Sequence, residues 1–410
     1  MMRPTVWIIN QYTVTPEYPA STRHYELAKY LADDYNVVLW GSNFIHHNKS
    51  YRFNPLNLWK KEKAEGFEML WLGAFPYKDN GVSRMLNMLG YAILLMAIGA
   101  WFGRKPDIII GSSPSLFTAY ASMFLAKIRT ARFVLEVRDL WPDSLIEINH
   151  KPETSLVVKV LSWMERQLYK GADQIVALTR GIYSRVAVKT GSDRKLYYMP
   201  NGMDLKEWSE PSASDRQRIR QELNISSGEY VWMYAGAHGP ANDLSQLIHC
   251  MAKLRGEPIQ LVLLGEGIEK PALQKLAKEL DIQKQIRFVS SVPKRDVSRW
   301  LTCADAFAIC LKNTKLFEGA LPNKLFDYLL HDKPIITTVR GEIEDFVVGH
   351  SVGVYGSMQG EGEHYLPQVL RNLQSGKMLS RVEGRELVFR LFDRKEQAKD
   401  FAENLSSILK

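Results

Sequence analysis

The sequence predicts an α/β protein with two Rossmann-like domains, each built on a doubly wound parallel sheet, that face each other across a cleft. Apolar runs of strand length alternate with helical patterns, which is typical of parallel sheets covered by helices. After a polar stretch near residues 200–212 the alternation starts again. A length of 410 residues also suits two cores better than one. We expect an N-terminal domain over residues 1–205, a C-terminal domain over 206–390, and a helix over 391–410 that packs back on the N-terminal domain.

The strands are predicted from short apolar runs that end at polar, glycine or proline residues. The first strand leads through a proline-containing loop into a helix that begins after Ser21 or Thr22, as a Rossmann-like unit usually opens. In the N-terminal domain the predicted strands are residues 5–10, 37–40, 68–72, 107–111, 133–137, 174–178 and 196–199. In the C-terminal domain they are residues 230–235, 260–265, 286–289, 306–310 and 335–338.

Charge and composition restrict the class of partner. The formal charge of +8 favours nucleotides, lipid phosphates or an anionic membrane face, and no nucleic-acid-binding motif accompanies the scattered basic residues. The three cysteines form no Cys-x-x-Cys, so we interpret them as buried residues in a reducing compartment. The apolar run at residues 6–9 is too short for a signal peptide. We expect a cytoplasmic protein that does not bind nucleic acid.

The sequence lacks the motifs of several common cofactor and metal sites. It contains no Gly-x-Gly-x-x-Gly and no Walker lysine, which argues against NAD enzymes and P-loop NTPases. It contains no Asp-x-Asp, and His46-His47 has no third residue at metal-ligand spacing. We therefore expect neither a metal nor another cofactor.

Residues 85–103 carry no charge and are flanked by Arg84 and by Arg104-Lys105. Their hydropathy is that of a membrane span, but they lie between two predicted strands of one sheet, which excludes a crossing. Two interpretations remain. One is a crossover helix buried against the sheet. The other is a helix in the membrane plane whose inserted side chains are Leu89, Leu94, Met96, Trp101 and Phe102.

The segment of residues 319–338 holds the first candidate binding residues. It predicts a loop, a helix that begins at Pro322-Asn323, a stop at residues 332–334 and a buried strand. Lys324 and Asp327 lie three residues apart on one helical face. They form either an ordinary surface ion pair or a site for a nucleotide diphosphate, with Lys324 facing phosphate and Asp327 facing ribose hydroxyls.

Three loops of the C-terminal domain follow predicted strands and would line the same sheet edge. Gly236 and Gly239 would let the backbone approach a ligand, and Asn242 or Asp243 would cap a helix that receives phosphate oxygens. His238 would touch the ligand or cap the turn. The other two loops contribute Gly265-Glu266 and Val292.

Arg138 and Asp139 follow the predicted strand 133–137 of the N-terminal domain. In this architecture chemistry is expected at the carboxyl ends of strands. Asp139 could orient an acceptor hydroxyl or take its proton, and Arg138 could hold the acceptor or a phosphate. The alternative is a buried Arg–Asp pair that fixes the loop.

Over nearly its whole length the sequence resembles the family-4 retaining glycosyltransferases of the GT-B fold. It is most similar to the branch that builds bacterial O-antigen and capsule repeats, the WbuB-like fucosamine transferases. The resemblance rests on Arg138-Asp139-Leu140-Trp141-Pro142, Leu178-Thr179-Arg180-Gly181, Asn201-Gly202-Met203-Asp204, Tyr234-Ala235-Gly236, Leu264-Gly265-Glu266-Gly267 and Leu321-Pro322-Asn323-Lys324 with Tyr328 and Lys333-Pro334.

The resemblance implies transfer of an N-acetylated hexosamine or deoxyhexosamine, such as N-acetylfucosamine, from UDP to a polyprenyl-diphosphate-linked saccharide. The protein would work without a metal, bound peripherally to the inner membrane. Lys324, Arg138 and Asp139 are the implied catalytic residues. Lys324 would neutralise the diphosphate, Asp327 would receive the ribose hydroxyls and the backbone at Val292 would meet the base. The donor site would also include Gly319, Pro322 and Asn323.

The sequence departs from the family pattern at several of these positions. Gly319 and Asp327 stand where the family commonly has two glutamates, and Ala237 and Asn242 stand near the usual Arg and Lys of the phosphate loop. Two other functions fit the same fold and site. One is a UDP-N-acetylglucosamine 2-epimerase, and the other is a non-catalytic protein that binds a nucleotide sugar or a lipid phosphate.

Overall fold

The computed structural model describes residues 3–18, 21–46, 49–78, 81–147, 150–206, 208, 210–379 and 381–410. His47, part of the rejected metal motif, lies outside these residues. The chain divides into two compact units. Unit 1 comprises Met1–Asp204 together with Asp393–Lys410, and unit 2 comprises Leu205–Phe392.

Unit 1 is built on an eight-stranded sheet with the order β10-β9-β8-β7-β1-β2-β6-β5. All of its neighbouring strands are parallel except β5, which pairs antiparallel with β6 at the edge. The strands are β1 (Thr5–Ile9), β2 (Asn36–Ser42), β3 (Phe44–Ile45), β4 (Ser50–Tyr51), β5 (Trp59–Lys63), β6 (Glu68–Leu72), β7 (Ile108–Ser112), β8 (Arg132–Val137), β9 (Gln174–Ala177) and β10 (Leu196–Tyr198), of which β3 and β4 form a separate hairpin.

The helices of unit 1 cover both faces of this sheet. The connections from β6 to β7, β7 to β8 and β8 to β9 all run in one direction across the sheet, whereas β1 to β2 runs in the other. Because such crossovers are right-handed, the two groups of helices lie on opposite faces. The helices are α1 (Arg23–Leu31), α2 (Val82–Gly99), α3 (Leu116–Arg129), α4 (Asp143–Glu147), α5 (Leu156–Gly171), α6 (Arg180–Thr190) and α16 (Arg394–Leu409).

Unit 2 has a six-stranded, wholly parallel sheet with the order β13-β12-β11-β14-β15-β16. Its strands are β11 (Tyr230–Ala235), β12 (Ile259–Leu264), β13 (Ile286–Val289), β14 (Ala306–Ile309), β15 (Ile335–Thr337) and β16 (Gly353–Tyr355). Its helices are α7 (Ala213–Glu222), α8 (Ser245–Lys253), α9 (Lys270–Glu279), α10 (Lys294–Leu301), α11 (Lys315–Glu318), α12 (Lys324–Leu329), α13 (Glu342–Gly349), α14 (Leu366–Gln374) and α15 (Gly384–Leu391), with single 3₁₀ turns at Pro240–Asn242, Gln283–Gln285 and Gly362–His364.

The two parallel sheets confirm the predicted α/β fold class. Every predicted strand is present, with ends within two residues of those expected. The short strands β3, β4, β5 and β16 were not predicted. Strand β5 is a lysine-containing, exposed edge strand, so it lacks the apolar run by which buried strands are recognised.

Residues 85–99 form most of α2, a crossover helix with one buried face and one exposed face. The helix connects β6 and β7 of one sheet, and it buries Met88, Tyr91 and Leu95. It is also the one described helix that is long and apolar enough to cross a membrane. Of the side chains predicted to insert, Leu89 and Trp101 are exposed, but Leu94 and Met96 are half-buried. Phe102 is also half-buried, and it packs against the rings of Trp7 and Trp40.

Helix α16 belongs to unit 1, where it packs on α1. Its first residue, Arg394, is almost fully buried and donates to the Gly202 carbonyl at 3.2 Å and to the Glu26 carboxylate at 3.2 Å. The Tyr35 hydroxyl donates to the Ala402 carbonyl at 2.9 Å. These polar contacts fasten the last helix to the segment that follows β10 and to the start of β2.

A buried polar cluster centred on Glu136 joins the strands of unit 1 to α1. The carboxylate of Glu136, on β8, accepts hydrogen bonds from Arg23 at 2.7 Å and from Ser112 at 2.5 Å, and it lies 2.6 Å from the His24 ring. Arg23 also donates to the Met199 and Pro200 carbonyls. Burial alone would raise the pKa of Glu136, but the charges of His24 and Arg23 hold it well below its ordinary value. Burial lowers the pKa of Arg23 to about 10.

We expect Glu136→Gln to destabilise the protein by about 3 kcal/mol, because it removes the counter-charge of a buried arginine. The measurement is the free energy of unfolding in urea. Glu279→Gln is the matched control, since Glu279 pairs with Lys275 on the surface at 3.6 Å, where an ion pair contributes little. Equal effects of the two substitutions would contradict the structural role given to Glu136.

Candidate functional site

Helix α12 is held against the carboxyl end of β11 by Tyr328. The hydroxyl of Tyr328 accepts a hydrogen bond from the Ala235 backbone N–H at 2.8 Å, and its ring stacks on Phe307 at 4.3 Å. Leu325 and Leu329 are fully buried beside it. Tyr328 is therefore a core residue. The helix begins at Lys324. The sequence had predicted that it begins at Pro322-Asn323.

Lys324 lies one turn before Tyr328 and points at the end of β11. Its ammonium donates to the Tyr234 hydroxyl at 2.7 Å and to the Asn242 side-chain oxygen at 3.3 Å, and it lies 4.0 Å from the centre of the Tyr234 ring. Both partners are neutral. Within the described residues no carboxylate forms an ion pair with Lys324. Burial lowers the pKa of this ammonium to about 7.

Asp327 does not pair with Lys324, so the predicted surface pair is wrong. Its two oxygens instead lie 2.5 and 2.7 Å from the ammonium of Lys294, at the start of α10. The i and i+3 spacing allowed a Lys324–Asp327 contact, but the packing of α12 turns Lys324 towards β11 and leaves Asp327 to α10. The two residues therefore belong to separate charge environments of unit 2.

The loop that follows β11 contacts the loop that follows β12. His238 exchanges backbone hydrogen bonds with Glu266 and Glu269 at 2.8 and 3.0 Å. A Cβ atom at Gly265 would lie 2.0 Å from the Gly236 carbonyl oxygen, and the φ of Gly265 is +148°. Gly265 was predicted to line this sheet edge, and its lack of a side chain admits the neighbouring loop. Gly239 has open space around its Cα.

His238 is fully buried beside Tyr234, with 6.1 Å between the ring centres. Neither of its ring nitrogens has a hydrogen-bond partner within the described part of the protein. Burial, with the nearby Lys270 charge, lowers its pKa to about 4, so the ring is neutral. Its backbone holds the turn, as one of the two predictions for this residue proposed, while its imidazole is buried with both nitrogens unpaired in the described structure.

The predicted cap of the helix after β11 is wrong. Helix α8 begins at Ser245 after Leu244, and no side chain caps it. Asn242 instead ends a 3₁₀ turn, donates to the Ala237 carbonyl at 3.0 Å and accepts from Lys324. Asp243 accepts from the Ser245 hydroxyl at 2.8 Å. Asn242 therefore belongs to the Lys324 cluster by its side chain and not through a helix terminus.

The remaining candidate residues of unit 2 are more dispersed. Glu266 is exposed and paired with Lys270 at 2.7 Å. Val292 borders a cavity of about 240 Å³ whose other walls come from α7 and α10. Gly319 is the C-cap residue of α11. The Pro322 and Asn323 carbonyls accept the N–H groups of Leu325 and Phe326, and so form the turn that opens α12.

In unit 1, Arg138 and Asp139 follow β8 as predicted. The hydroxyl of Ser113, just after β7, accepts from the backbone N–H groups of Arg138 at 2.8 Å and Asp139 at 3.3 Å. The side chain of Asp139 is exposed and that of Arg138 is half-buried. No ion pair joins them in the described structure, so the alternative of a buried Arg–Asp pair is wrong. The loop is fixed through its backbone, which leaves the Asp139 carboxylate facing solvent.

Sequence reasoning missed three residues that build these clusters. Lys294 comes directly after Val292-Pro293. Val292 was selected because it lies in a loop after a strand, and the same signal could have identified Lys294. Tyr234 lies within an apolar strand, and nothing in that pattern indicated that its hydroxyl receives the Lys324 ammonium. Ser113 directly follows β7, as Arg138 directly follows β8, so the same position after a strand could have identified it. Among the described residues, no group of His, Cys, Asp and Glu is arranged to hold a metal ion.

Comparisons with known proteins agree with this architecture. Residues 20–202 match the glycosyl transferase 4-like domain, and residues 215–358 match the glycosyl transferases group 1. WcaI of Escherichia coli K12, named as a colanic acid biosynthesis glycosyl transferase, is 24% identical over 279 residues, which are 66% of this chain and 67% of WcaI.

Solved structures share the whole fold. Sucrose-phosphate synthase from Thermosynechococcus elongatus superposes with a TM-score of 0.76 at 15% identity, covering 99% of both chains. Anabaena HepE in complex with UDP superposes with a TM-score of 0.70 at 14% identity, covering 99% of this chain and 100% of HepE. The chain belongs to the group 1 glycosyl transferases, with a glycosyl transferase 4-like N-terminal domain and the GT-B fold of two Rossmann-like domains.

Proposed function

We propose that this protein transfers an N-acetylated hexosamine or deoxyhexosamine, such as N-acetylfucosamine, from a UDP-sugar to a polyprenyl-diphosphate-linked saccharide. The reaction retains the anomeric configuration and needs no metal. The product is a repeat unit of bacterial O-antigen or capsule, as in the WbuB-like branch, and the enzyme works bound peripherally to the inner membrane. Its similarity to WcaI, a protein named for colanic acid biosynthesis, supports a place in polysaccharide synthesis.

The observation that carries this proposal is that Lys324 is half-buried and that its ammonium contacts only neutral groups in the described part of the chain. A cation removed from water without a counter-charge is unfavourable, which is why the pKa of Lys324 falls to about 7. An anionic ligand at the end of β11 would supply the missing counter-charge. The diphosphate of a nucleotide sugar has the right charge, and HepE, which shares the fold, was solved with UDP.

Lys324 would contribute most in the transition state. As the sugar leaves UDP, negative charge grows on the diphosphate, and a fixed cation stabilises that charge more than it stabilises the bound substrate. The Tyr234 hydroxyl and the Asn242 side chain hold the ammonium in place before reaction. Gly236 and His238 lie beside it, and the neutral imidazole can donate a further hydrogen bond to the donor.

Asp327 would receive the two ribose hydroxyls. Its carboxylate is held by Lys294, which leaves each oxygen free to accept a second hydrogen bond. The other residues assigned to the donor are Gly239, Gly265, Glu266, Val292, Gly319, Pro322 and Asn323. Asp139, exposed after β8, would orient the acceptor hydroxyl or accept its proton, and Arg138 would bind the acceptor or its phosphate.

A transfer assay with a panel of UDP-sugars and lipid-linked acceptors tests the proposed reaction. We expect UDP release together with a glycosylated lipid from at least one pair. Isomerised sugar without acceptor would indicate a 2-epimerase. Tight UDP-sugar binding with no donor consumed over hours would indicate a non-catalytic binding protein. Either result would overturn the proposal.

Lys324→Met should lower turnover by about 100-fold or more, because a hydrogen bond to a charged group contributes about 1.5–3 kcal/mol and this one strengthens in the transition state. The stability of the protein should not fall, since the substitution removes a cation without a counter-charge. Initial rates and urea unfolding measure the two quantities. Equal losses in both would favour a structural role for Lys324.

The affinity for UDP should fall as pH rises above about 7. Lys324 loses its charge in the free protein over this range, and bound diphosphate raises its pKa, so affinity declines by up to about tenfold per pH unit. UDP itself changes little, because its terminal phosphate ionises near pH 6. Calorimetry between about pH 7 and about pH 9 measures the decline. Lys324→Arg, whose cation does not titrate here, should abolish it, and an unchanged decline in this variant would contradict the assignment.

The role of Asp327 can be separated from that of Lys324 with 2′-deoxy-UDP. The natural protein should prefer UDP over 2′-deoxy-UDP by about tenfold or more, the effect of one hydrogen bond to a charged group. Asp327→Ala should remove that preference, whereas Lys324→Met should weaken both ligands equally. A preference that survives Asp327→Ala would place the ribose elsewhere.

A further inference from the structure

The outer face of α2 is a continuous apolar stripe. Val82, Leu86, Leu89 and Ile93 follow each other at spacings of three and four residues, and all are exposed. Trp101, just beyond the helix, is 88% exposed. Large apolar side chains exposed in one row are unusual on a protein surface that contacts only water.

The same apolar character continues on two neighbouring helices. Helix α3 packs between α2 and α5 on one face of the sheet, as the right-handed crossovers require. It exposes Phe124 and Ile128, and α5 exposes Val160 and Trp163. The rings join the two helices, because Tyr120 lies 5.1 Å from Phe124 and 5.8 Å from Trp163. We call these exposed faces of α2, α3 and α5 the outer helical layer.

The charges of the outer helical layer are almost all positive. The three helices contain six basic residues and a single acidic one, Glu165. Glu165 is buried, and it bonds to Tyr169 and to Lys189 of α6 instead of facing outward. Lys127, Lys159 and Arg166 are exposed beside the apolar side chains. Within these three helices, the layer therefore presents apolar side chains accompanied by exposed cations.

We propose that the whole outer helical layer, and not α2 alone, binds the membrane, and that it selects anionic lipids. Apolar side chains from three adjacent helices would enter the headgroup region while the basic residues meet lipid phosphates. A second copy of the chain fits this surface poorly. A two-fold interface would place the basic residues of this layer against the same basic residues of the second copy, and these like charges would repel. This inference deepens the proposed function, whose acceptor is lipid-linked.

Flotation of the full-length protein with vesicles, without donor or acceptor, tests the inference. We expect binding to vesicles of phosphatidylcholine mixed with phosphatidylglycerol and much weaker binding to phosphatidylcholine alone. Replacing Lys127, Lys159 and Arg166 with Gln should lower partitioning roughly 100-fold, at about fivefold for each cation. Equal binding to both vesicle types would overturn the selection of anionic lipids.

Single substitutions decide whether the surface spans three helices. Ile93→Glu, Ile128→Glu and Trp163→Glu place one carboxylate on α2, α3 and α5 respectively, and each should reduce flotation at least tenfold without changing the urea midpoint. Val348→Glu, at a comparably exposed position on α13 of unit 2, is the control and should bind normally. If only Ile93→Glu has an effect, α2 acts alone and the three-helix surface is wrong.

The membrane surface and the catalytic proposal fail in different ways. Sugar transfer to a detergent-dispersed acceptor by a protein that does not float would overturn the surface and leave the function intact. Flotation without transfer to any acceptor would overturn the proposed function and leave the membrane surface intact. A dimer in lipid-free solution that Trp163→Glu converts to a monomer, with no flotation of the natural protein, would show that a second copy occupies the layer.

Discussion

The strands of both parallel sheets lie between helices, so their backbone N–H and C=O groups must pair within the sheet and their side chains must be largely apolar. Polar chemistry is thereby confined to the loops at the strand ends. In unit 2 those loops meet beside β11, and in unit 1 Ser113 ties the loop after β7 to the loop that carries Asp139. Every residue assigned here to the donor or the acceptor lies in a segment that connects one strand to the next.

Within unit 2 the distribution of charge separates two functions. The ammonium of Lys324 donates to neutral groups, whereas the carboxylate of Asp327 forms an ion pair with Lys294. This division follows from Tyr328, whose hydroxyl bonds the end of β11 and fixes the rotation of α12 about its axis. A rotation of α12 would carry Lys324 away from Tyr234 and Asp327 away from Lys294. The arrangement keeps an unneutralised cation next to a carboxylate that is already oriented.

Unit 1 divides its polar and apolar residues in an unusual way. A charged cluster around Glu136 and Arg23 is buried inside, where it connects α1, β8 and the segment after β10. The outer helical layer has the opposite character, apolar and cationic. Burial of the one acidic residue of that layer, Glu165, under α6 is part of this arrangement. The protein thus combines a polar interior cluster with a surface suited to lipid.

Much of the fold was predictable from local pattern, because a buried strand must be apolar along its length whatever surrounds it. For this reason twelve strands were located to within two residues, while the two-residue strands β3 and β4, the exposed strand β5 and the short edge strand β16 were missed. Positions after strands were likewise predictable, and Arg138, Asp139 and Gly236 all lie there, whereas Lys324 was selected at the start of a predicted helix. The sequence was also sufficient to identify α2 as apolar and free of acidic residues.

The partners of these residues depended on packing between distant segments. Lys324 and Asp327 are three residues apart, yet Lys324 meets Tyr234 on β11 and Asp327 meets Lys294 on α10, because the buried side of α12 sets which way each side chain points. Asn242 was predicted as a helix cap and instead holds Lys324. The outer helical layer exists only because three crossovers of one hand place α2, α3 and α5 side by side. Local pattern decides which residues are buried, and the long-range packing of helices on sheets decides what each exposed or polar side chain faces.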